Sequence, residues 1–301
     1  MTAYPDQSWF DVRTLRPDRV PRPAPRFAPG CRAAIHLAVC LEAYPLGARP
    51  PFPVPGALDR PHPDLANWSQ RKVALREGLA RIEALLEDVG IGVSFVVQSQ
   101  ALDELSGFLP LLRDPRHAIV AGGAHAAALH STFADAEAEM LAIHAVLERL
   151  RGGLGVPVEA WRSPSGVHSR HTFAVLARAG VRAVLDLNND ELPFAIKTEA
   201  GTLQALPWQH FSSDLHCLGV CKQPVRDFLN DLSEGIAWLI REAPAAGPRV
   251  LTLPVHPWII GAPHRFRPFA QALRAWAQTP GVEFVNVRSL LAAAEPDGRP
   301  A

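Results

Sequence analysis

Residues 70–97, QRKVALREGLARIEALLEDVGIGVSFVV, contain one complete helix-to-strand unit. Apolar residues recur at helical spacing from Val73 to Val89, which predicts a helix over Gln70–Val89 with one buried face. Gly90 follows as a helix stop. The next run, Val93–Val97, is β-branched and aromatic, as is typical of a buried strand. A long amphipathic helix leading directly into an apolar strand predicts helices packed on a parallel sheet.

The same alternation continues on both sides of this unit. Further strands are predicted at Ala33–Cys40, His117–Ala121, Val158–Trp161, Val181–Leu187, Val250–Val255 and Glu283–Val287, with a weaker one at Leu203–Trp208. Helices are predicted between them at Leu102–Leu112, 134–150, Ser169–Ala179, Pro224–Glu242, Phe269–Gln278 and Ser289–Ala294. Seven or eight strands that alternate with helices predict an α/β fold, a single (β/α) barrel; an open doubly wound sheet is the alternative.

Composition excludes several classes of function. Thirty Lys and Arg balance thirty Asp and Glu, so the chain shows no basic footprint for nucleic acid or an anionic membrane. No apolar run approaches the roughly 20 residues of a membrane helix, and the first residues show no export leader. We therefore expect a cytoplasmic protein with reduced cysteines that acts on a small molecule. The chain also lacks GxGxxG and P-loop motifs, so no nucleotide chemistry is indicated.

Proline is the unusual residue, at 29 of 301. Proline-rich stretches cannot form helices or central strands, so residues 1–29 are predicted to be an N-terminal arm. The barrel is predicted over 30–295 and a short tail over 296–301. A second proline-rich segment, residues 45–63, directly follows the first strand. It is either a wall or lid over the end of that strand or a surface wrap without function.

Polar residues directly follow the predicted strands, where a (β/α) barrel carries its chemistry. They are Glu42, His125 and His130, Arg162, the stretch from Asp186 to Asp190, and His256. Convergence at one rim predicts a cleft that holds carboxylates, imidazoles and a guanidinium. Each residue also has a structural interpretation: a solvated carboxylate for Glu42, core imidazoles for His125 and His130, and an Arg162 that only pairs with Asp186 or Asp190.

Cysteines suggest one further site. A zinc cluster is one interpretation of four neighbouring side chains: His210, His216, Cys217 and Cys221. Their spacing, however, matches no standard zinc motif. Unrelated loop and core residues are the favoured interpretation. Cys40 lies in an apolar run and is predicted to be a small buried hydrophobe.

Several motifs in order resemble the polysaccharide deacetylase superfamily, which has a NodB-like barrel. WRSPSG resembles its R-x-P-x-G segment, and LTLPVHPWIIGAPHRFRPF is similar to its final His-Pro motif. GVRAVLDLNNDELPF resembles the Asp-rich stretch of the branch with metal-independent, PuuE-type allantoinases and cyclic imide hydrolases. The resemblance implies a distorted (β/α)7–8 barrel, hydrolysis of a C–N bond, and a possible homo-oligomer.

In the metal-dependent members of that superfamily, side chains at several motif positions hold the metal. This chain has other residues at most of the matching positions. Glu42 matches the first acid of an acidic pair, and Ala43 replaces the second. In GAHAAALHSTFA, His125 and His130 match the first two histidines of the family segment, whereas Ala134 occupies the third and Ala126 replaces a glutamate. His130 is thus the only retained ligand position. One imidazole is too few for catalytic zinc, so no metal is assigned, although a divalent metal such as zinc is the cofactor to test.

The resemblance and the strand-end residues together imply amide or imide hydrolysis. Glu42 would act as a general base on water, His256 would protonate the leaving nitrogen or bind the carbonyl oxygen, and Arg162 would orient Glu42 or stabilise the oxyanion. His125, His130 and Asp190 would bind substrate, and Trp258 could pack against a planar ring. Two alternatives stay open: a metal-dependent sugar N-deacetylase, and a non-catalytic relative that binds a small ligand.

Overall fold

The computed structural model describes residues 25–46, 63 and 65–294. The tail at 296–301 and most of the arm at 1–29 lie outside the described residues, as does most of the segment at 45–63. The division into arm, barrel and tail therefore stays a prediction.

Strands and helices alternate along the described chain. The strands are β1 (Ala33–Leu41), β2 (Ser94–Val97), β3 (Ala118–Ala121), β4 (Val158–Trp161), β5 (Ala183–Val184), β6 (Phe194–Thr198), β7 (Gly201–Ala205), β8 (Arg249–Val255) and β9 (Val282–Val285). The helices are α1 (Leu65–Lys72), α2 (Leu79–Val89), α3 (Leu109–Arg113), α4 (Ala136–Leu154), α5 (Thr172–Arg178), α6 (Val225–Ala246), α7 (Pro263–Ala277) and α8 (Val287–Ala294). None of these helices combines the length and apolar character needed to cross a bilayer.

The strands form one curled sheet in the order β6-β7-β5-β4-β3-β2-β1-β8. All pairs are parallel except β6 with β7. On one edge, β1 pairs with β2 through Ala38–Leu41 and with β9 through Ala33–His36, while its other edge pairs with β8. The predicted α/β barrel is confirmed, and it is distorted: no strand ladder among the described residues joins β7 to β8.

A side chain bridges this open seam. The amide of Gln209 donates to the carbonyl of Val250 at 2.9 Å and accepts from the backbone N–H of Thr252 at 2.7 Å. The Thr252 hydroxyl in turn donates to the carbonyl of Pro207 at 2.5 Å. Gln209 therefore takes the place of a peptide unit in a missing strand and satisfies two buried groups of β8.

Two apolar layers hold the sheet. Both faces of β1 are buried, as expected for a central parallel strand. Ile35, Leu37 and the alternate residues after them pack towards the helices. Ala34, Ala38 and the other small residues of the opposite face form the barrel interior, where α8 also packs. Within the interior, the ring of His36 shares hydrogen bonds with the hydroxyls of Ser94 (2.8 Å) and Thr252 (3.3 Å), and burial lowers its pKa to about 3.

Several predicted elements differ in the structure. The helix over Gln70–Val89 is divided, because a π-helical turn at Ala74–Gly78 separates α1 from α2. The helix over Leu102–Leu112 is mostly two 3-10 turns. In the region Val181–Leu187 only β5 pairs, and the β6–β7 hairpin was not predicted. Periodicity reports which side chains are buried, whereas strand length depends on partners distant in sequence.

Candidate active site

A cavity of about 190 Å³ lies where the carboxyl ends of the strands meet. Residues that follow β1, β2, β3, β4, β7 and β8 contribute to it, together with the π-helical turn at Leu215–Val220. Its lining consists of Cys40, Glu42, Val96, Gln98, Gly122, Arg162, Ser163, Pro164, Ser165, Trp208, His210, Ser213, Leu215, His216, Val220 and His256. Of the predicted site residues, Glu42, Arg162 and His256 are brought together here.

His256 follows the last residue of β8 and precedes a tightly packed turn. A Cβ atom on Gly78 would lie 2.3 Å from the carbonyl oxygen of Pro257, and one on Gly261 would lie 2.2 Å from the same atom. Only glycine allows this approach between the π-helical turn and the loop. The guanidinium of Arg81 also donates to the carbonyl of Gly261 at 2.7 Å. These contacts fix the backbone that carries His256.

Asp214 holds the His256 imidazole from behind. Its Oδ2 accepts from the backbone N–H of His256 at 2.8 Å, and its Oδ1 lies 2.6 Å from Nδ1. Burial opposes a charge on the ring, but the carboxylates of Asp214 and Glu42 favour it, and the first of them is hydrogen-bonded to Nδ1. The pKa of His256 is therefore raised well above its usual value. With Nδ1–H donated to Asp214, Nε2 is the nitrogen available to the cavity.

Glu42 lies on the other side of the ring. Its Oε1 is 3.9 Å from Nε2 of His256, and its Oε2 accepts a hydrogen bond from the hydroxyl of Tyr44. The guanidinium of Arg71 lies 3.9 Å from the centre of the Tyr44 ring. Burial and the Glu42 charge raise the pKa of Tyr44, so the phenol stays a donor. Tyr44, rather than Arg162, orients the carboxylate.

Gln98 presents an amide to the same cavity. Its Oε1 accepts the backbone N–H of Ala43 at 2.7 Å. Because a backbone N–H can only donate, this bond assigns the oxygen and leaves the amide –NH2 as the other polar end of the side chain. Gln98 therefore supplies a positioned donor close to the residue that follows Glu42.

Arg162 is paired within the cavity wall. It donates to Oδ1 of Asp186 at 2.9 Å, and its guanidinium lies 4.7 Å from the centre of the Trp208 ring. Asp186 also accepts from the backbone N–H and the hydroxyl of Ser163, at 2.8 and 2.7 Å. Among the two partners considered from the sequence, Asp186 is the one observed. The pairing braces the rim and keeps the positive charge of Arg162 at the cavity.

Four predicted substrate-binding residues lie outside the cavity lining. His130 is buried and shares a 2.7 Å hydrogen bond with Glu139. The Nδ1 of His125 accepts the backbone N–H of Ala127 at 3.3 Å, and Asp190 accepts that of Leu192 at 3.0 Å. Trp258 is buried, with the Arg71 guanidinium 5.3 Å from its ring.

The pair of His130 and Glu139 is a structural unit. Glu139 also accepts from the hydroxyls of Ser169, at 2.5 Å, and Thr172. Although burial alone would raise the pKa of Glu139, these three donors lower it, so the carboxylate is charged. His130 is thus a buried, hydrogen-bonded imidazole, which agrees with the structural interpretation that the sequence left open for it.

The residues present do not fit the metal centre of the metal-dependent deacetylases. Within the described ranges, no three His, Cys, Asp or Glu side chains are placed to share one ion. Alanine stands at 43, 126 and 134, and these side chains offer no ligand. His210 and His216 lie together, with ring centres 4.3 Å apart, and the Cys221 sulfur is 3.6 Å from Nε2 of His216. The two histidines line the cavity, whereas Cys217 and Cys221 do not, so the zinc cluster considered from the sequence is not assembled among the described residues.

Sequence reasoning missed the roles of Asp214 and Gln98 and the partner of Glu42. Asp214 lies in a segment, SSDLHC, that carries no recognisable motif. Gln98 follows β2 immediately, so the rule that found Glu42 and Arg162 could have found it.

Comparisons with known proteins agree with this architecture. No protein-family model matches the chain, and no curated protein matches it. Solved structures do. A probable polysaccharide deacetylase from Pseudomonas aeruginosa PAO1 has a TM-score of 0.80 at 17% identity and covers 90% of this chain and 94% of its own. The fold is that of the polysaccharide deacetylases. PuuE allantoinase shares this fold, with a TM-score of 0.77 at 17% identity over 96% of this chain and 97% of its own.

A third solved structure with the polysaccharide deacetylase fold is a CE4 family pseudoenzyme from Bacillus anthracis. Its TM-score is 0.51 at 9% identity, over 90% of this chain and 70% of that one. These likenesses confirm the predicted resemblance as one of fold.

Proposed function

We propose that this protein hydrolyses the C–N bond of a small amide, cyclic imide or ureide, or N-acyl compound, without a tightly bound metal. One observation carries the proposal. Asp214 lies behind the His256 ring, with 2.6 Å between its Oδ1 and Nδ1, and Glu42 faces the ring within the cavity, with 3.9 Å between Nε2 and its Oε1. A general acid and a general base thus face the same space.

The two groups have complementary roles. The raised pKa keeps His256 protonated at neutral pH, so Nε2–H is the acid for the leaving nitrogen. Glu42 accepts the proton of the attacking nucleophile, which in the simplest reaction is water, and Tyr44 holds its other oxygen. Each proton transfer contributes roughly 10²–10⁴-fold to the rate.

Two donors support the charge that develops on the carbonyl oxygen. The –NH2 of Gln98 is oriented by its bond to Ala43, and Arg162 is oriented by Asp186. Donors fixed before the reaction cost no reorganisation, and one such donor contributes roughly 10²–10³-fold. Arg162 is therefore proposed for the oxyanion and not for the orientation of Glu42.

The size of the cavity favours a small substrate. Its volume of about 190 Å³ is below the several hundred Å³ of most ligand pockets, and Trp208 forms an aromatic wall beside Arg162. We propose that Trp208, rather than Trp258, packs against a planar ring such as an imide or ureide, because Trp258 lies outside the cavity lining. No nucleic acid or membrane partner is proposed. Homo-oligomerisation and a cytoplasmic location stay predictions.

A second candidate is a non-catalytic relative that binds a small ligand in the same cavity. The observation in its favour is the loss of metal-ligating side chains at 43, 126 and 134, together with a fold shared with a CE4 family pseudoenzyme. It differs from the first candidate in a measurable way, because it binds without turnover.

The test is hydrolysis of a defined panel: hydantoin, allantoin, succinimide and N-acetylglucosamine. We expect turnover of at least one compound by the wild type, and a loss of roughly 10²–10⁴-fold in Glu42→Gln and in His256→Gln. Glu199→Gln and His144→Gln change exposed residues of the same types and serve as matched controls.

Wild-type rates in both site variants would refute the proposal. Thermal stabilisation by a panel compound without hydrolysis would favour the second candidate, and stoichiometric metal with chelator-sensitive turnover would favour a metal-dependent deacetylase.

A further inference from the structure

Cys40 lies on the floor of the cavity, next to both proton-transfer groups. In the pairing of β1 with β8, Val39 is opposite Val255, so the next residues along the two chains are Cys40 and His256. Side chains alternate along a strand, which places Cys40 and Glu42 on the same face. Cys40, Glu42 and His256 all line the cavity. The sequence interpretation of Cys40 as a buried apolar filler does not use this placement.

We propose that Cys40 is the nucleophile of the first chemical step and carries the acyl group of the substrate as a thioester. The inference rests on the proposed function, because it assigns the attacking atom within the same reaction. The geometry that carries it is a thiol beside an imidazole that a buried carboxylate orients from behind, with a second carboxylate, Glu42, facing the same space. A nucleophile is activated by an adjacent base, which here is Glu42 held by Tyr44, while the imidazole that Asp214 orients is the acid.

The steps balance without an added reagent. Sγ of Cys40 attacks the carbonyl carbon while Glu42 takes the thiol proton. The C–N bond then breaks, and the proton on Nε2 of His256 goes to the leaving nitrogen. Water next attacks the thioester and gives its proton to the now neutral His256. The sulfur leaves as the C–S bond breaks and takes its proton back from Glu42, which restores the starting state.

The environment of the thiol explains why a base must act on it. Burial raises the pKa of Cys40, and Glu42 and Asp214 raise it further, although His256 lowers it. The group is therefore a thiol in the resting protein, and its proton has to leave during the attack. The other three cysteines, Cys31, Cys217 and Cys221, are outside the cavity lining.

The test uses p-nitrophenyl acetate, an activated acyl donor that needs no knowledge of the natural substrate. We expect a burst of one equivalent of p-nitrophenol, and peptide mass spectrometry after an acid quench should find the acetyl group on Cys40. Cys40→Ala should lose the burst and lower turnover of the panel substrate by roughly 10²-fold or more. Cys40→Ser keeps the side-chain size and a polar atom, so this variant should fold. Because its hydroxyl is a weaker nucleophile than the thiol, its turnover should be slow. Cys221→Ser, which removes an exposed thiol, should keep the burst.

The outcomes separate this inference from the proposed function. No acetyl group on Cys40 of the wild type, or wild-type turnover in Cys40→Ala, overturns it. If Glu42→Gln and His256→Gln are then still inactive, the proposed function stands with water as the nucleophile. If those two variants hydrolyse the panel substrate at wild-type rates, the proposed function itself fails, whatever Cys40 does.

Discussion

Replacing Asp214 with Asn tests the electrostatics of the site with almost no change in shape. The wild-type carboxylate accepts two hydrogen bonds from His256, one from the backbone N–H and one from Nδ1. An amide has one acceptor oxygen, so it can keep only one of these bonds. Because the backbone N–H of His256 can only donate, the oxygen of the new amide accepts this bond. The –NH2 of the amide then faces Nδ1 of the ring. Nδ1 can accept this bond only when the ring is neutral, so the variant favours the neutral imidazole and also lacks the buried counter-charge of the imidazolium.

Two magnitudes follow from this geometry. A hydrogen bond to a charged group contributes about 1.5–3 kcal/mol, so the free energy of unfolding should fall by about that amount near neutral pH. The pKa of His256 should fall because Asp214 is one of the groups that raise it. Its function as the general acid weakens accordingly, and kcat should fall by roughly 10²–10⁴-fold, with little change in KM.

The pH dependence has a definite sign. A histidine whose pKa is raised by folding contributes stability that is complete below its unfolded pKa of about 6.5 and is lost as the pH rises through the folded value. The difference in stability between wild type and Asp214→Asn should therefore be greatest from about pH 5 to 6.5 and should shrink above that window. The alkaline limb of kcat should move to lower pH in the variant.

The measurements are urea unfolding at several pH values, NMR titration of the His256 ring nitrogens, and the pH profile of kcat. Asp231→Asn, a change to an exposed carboxylate, is the matched control. An unchanged His256 titration in a folded Asp214→Asn variant would refute the assigned role of the carboxylate. Wild-type kcat despite a lowered pKa would instead refute the role of His256 as the acid.

Three further changes have expected outcomes. Tyr44→Phe removes the donor that orients Glu42, so kcat should fall roughly tenfold at unchanged KM in steady-state assays, and an unchanged kcat would contradict the orienting role. Gln209→Leu leaves two buried backbone groups of β8 without partners, which should cost about 2–6 kcal/mol in urea unfolding; a loss below about 1 kcal/mol would show that the seam does not depend on this side chain. His130→Gln removes the imidazole from the buried Glu139, so the melting temperature should fall while kcat of the folded fraction stays near wild type; a large loss of kcat alone would place His130 in catalysis.

The barrel and half of the site were predictable because they follow from local rules. Helical and strand periodicities are visible within short windows, and they place buried strands at Ala33–Cys40, Val158–Trp161 and Val250–Val255 within one or two residues of β1, β4 and β8. In a parallel barrel, every strand delivers its next residues to one rim. This rule selected Glu42, Arg162 and His256, which line the cavity, but it also selected His125, His130 and Asp190, which do not.

Tertiary structure decided which groups act on one another. Asp214 reaches His256 across 42 residues, and Arg162 pairs with Asp186 across 24 rather than with Glu42. Such pairs depend on register, on the curvature of the sheet and on close packing of glycines, none of which leaves a local pattern. The same is true of Cys40, which reads as an apolar filler in sequence and lies beside an imidazole in the fold. The chain sequence thus determines the barrel and the residues that follow its strands, whereas only the folded arrangement decides which of these side chains lie within a few ångströms of one another, because those contacts join residues distant in sequence. The proposed acid, base and nucleophile depend on these distances.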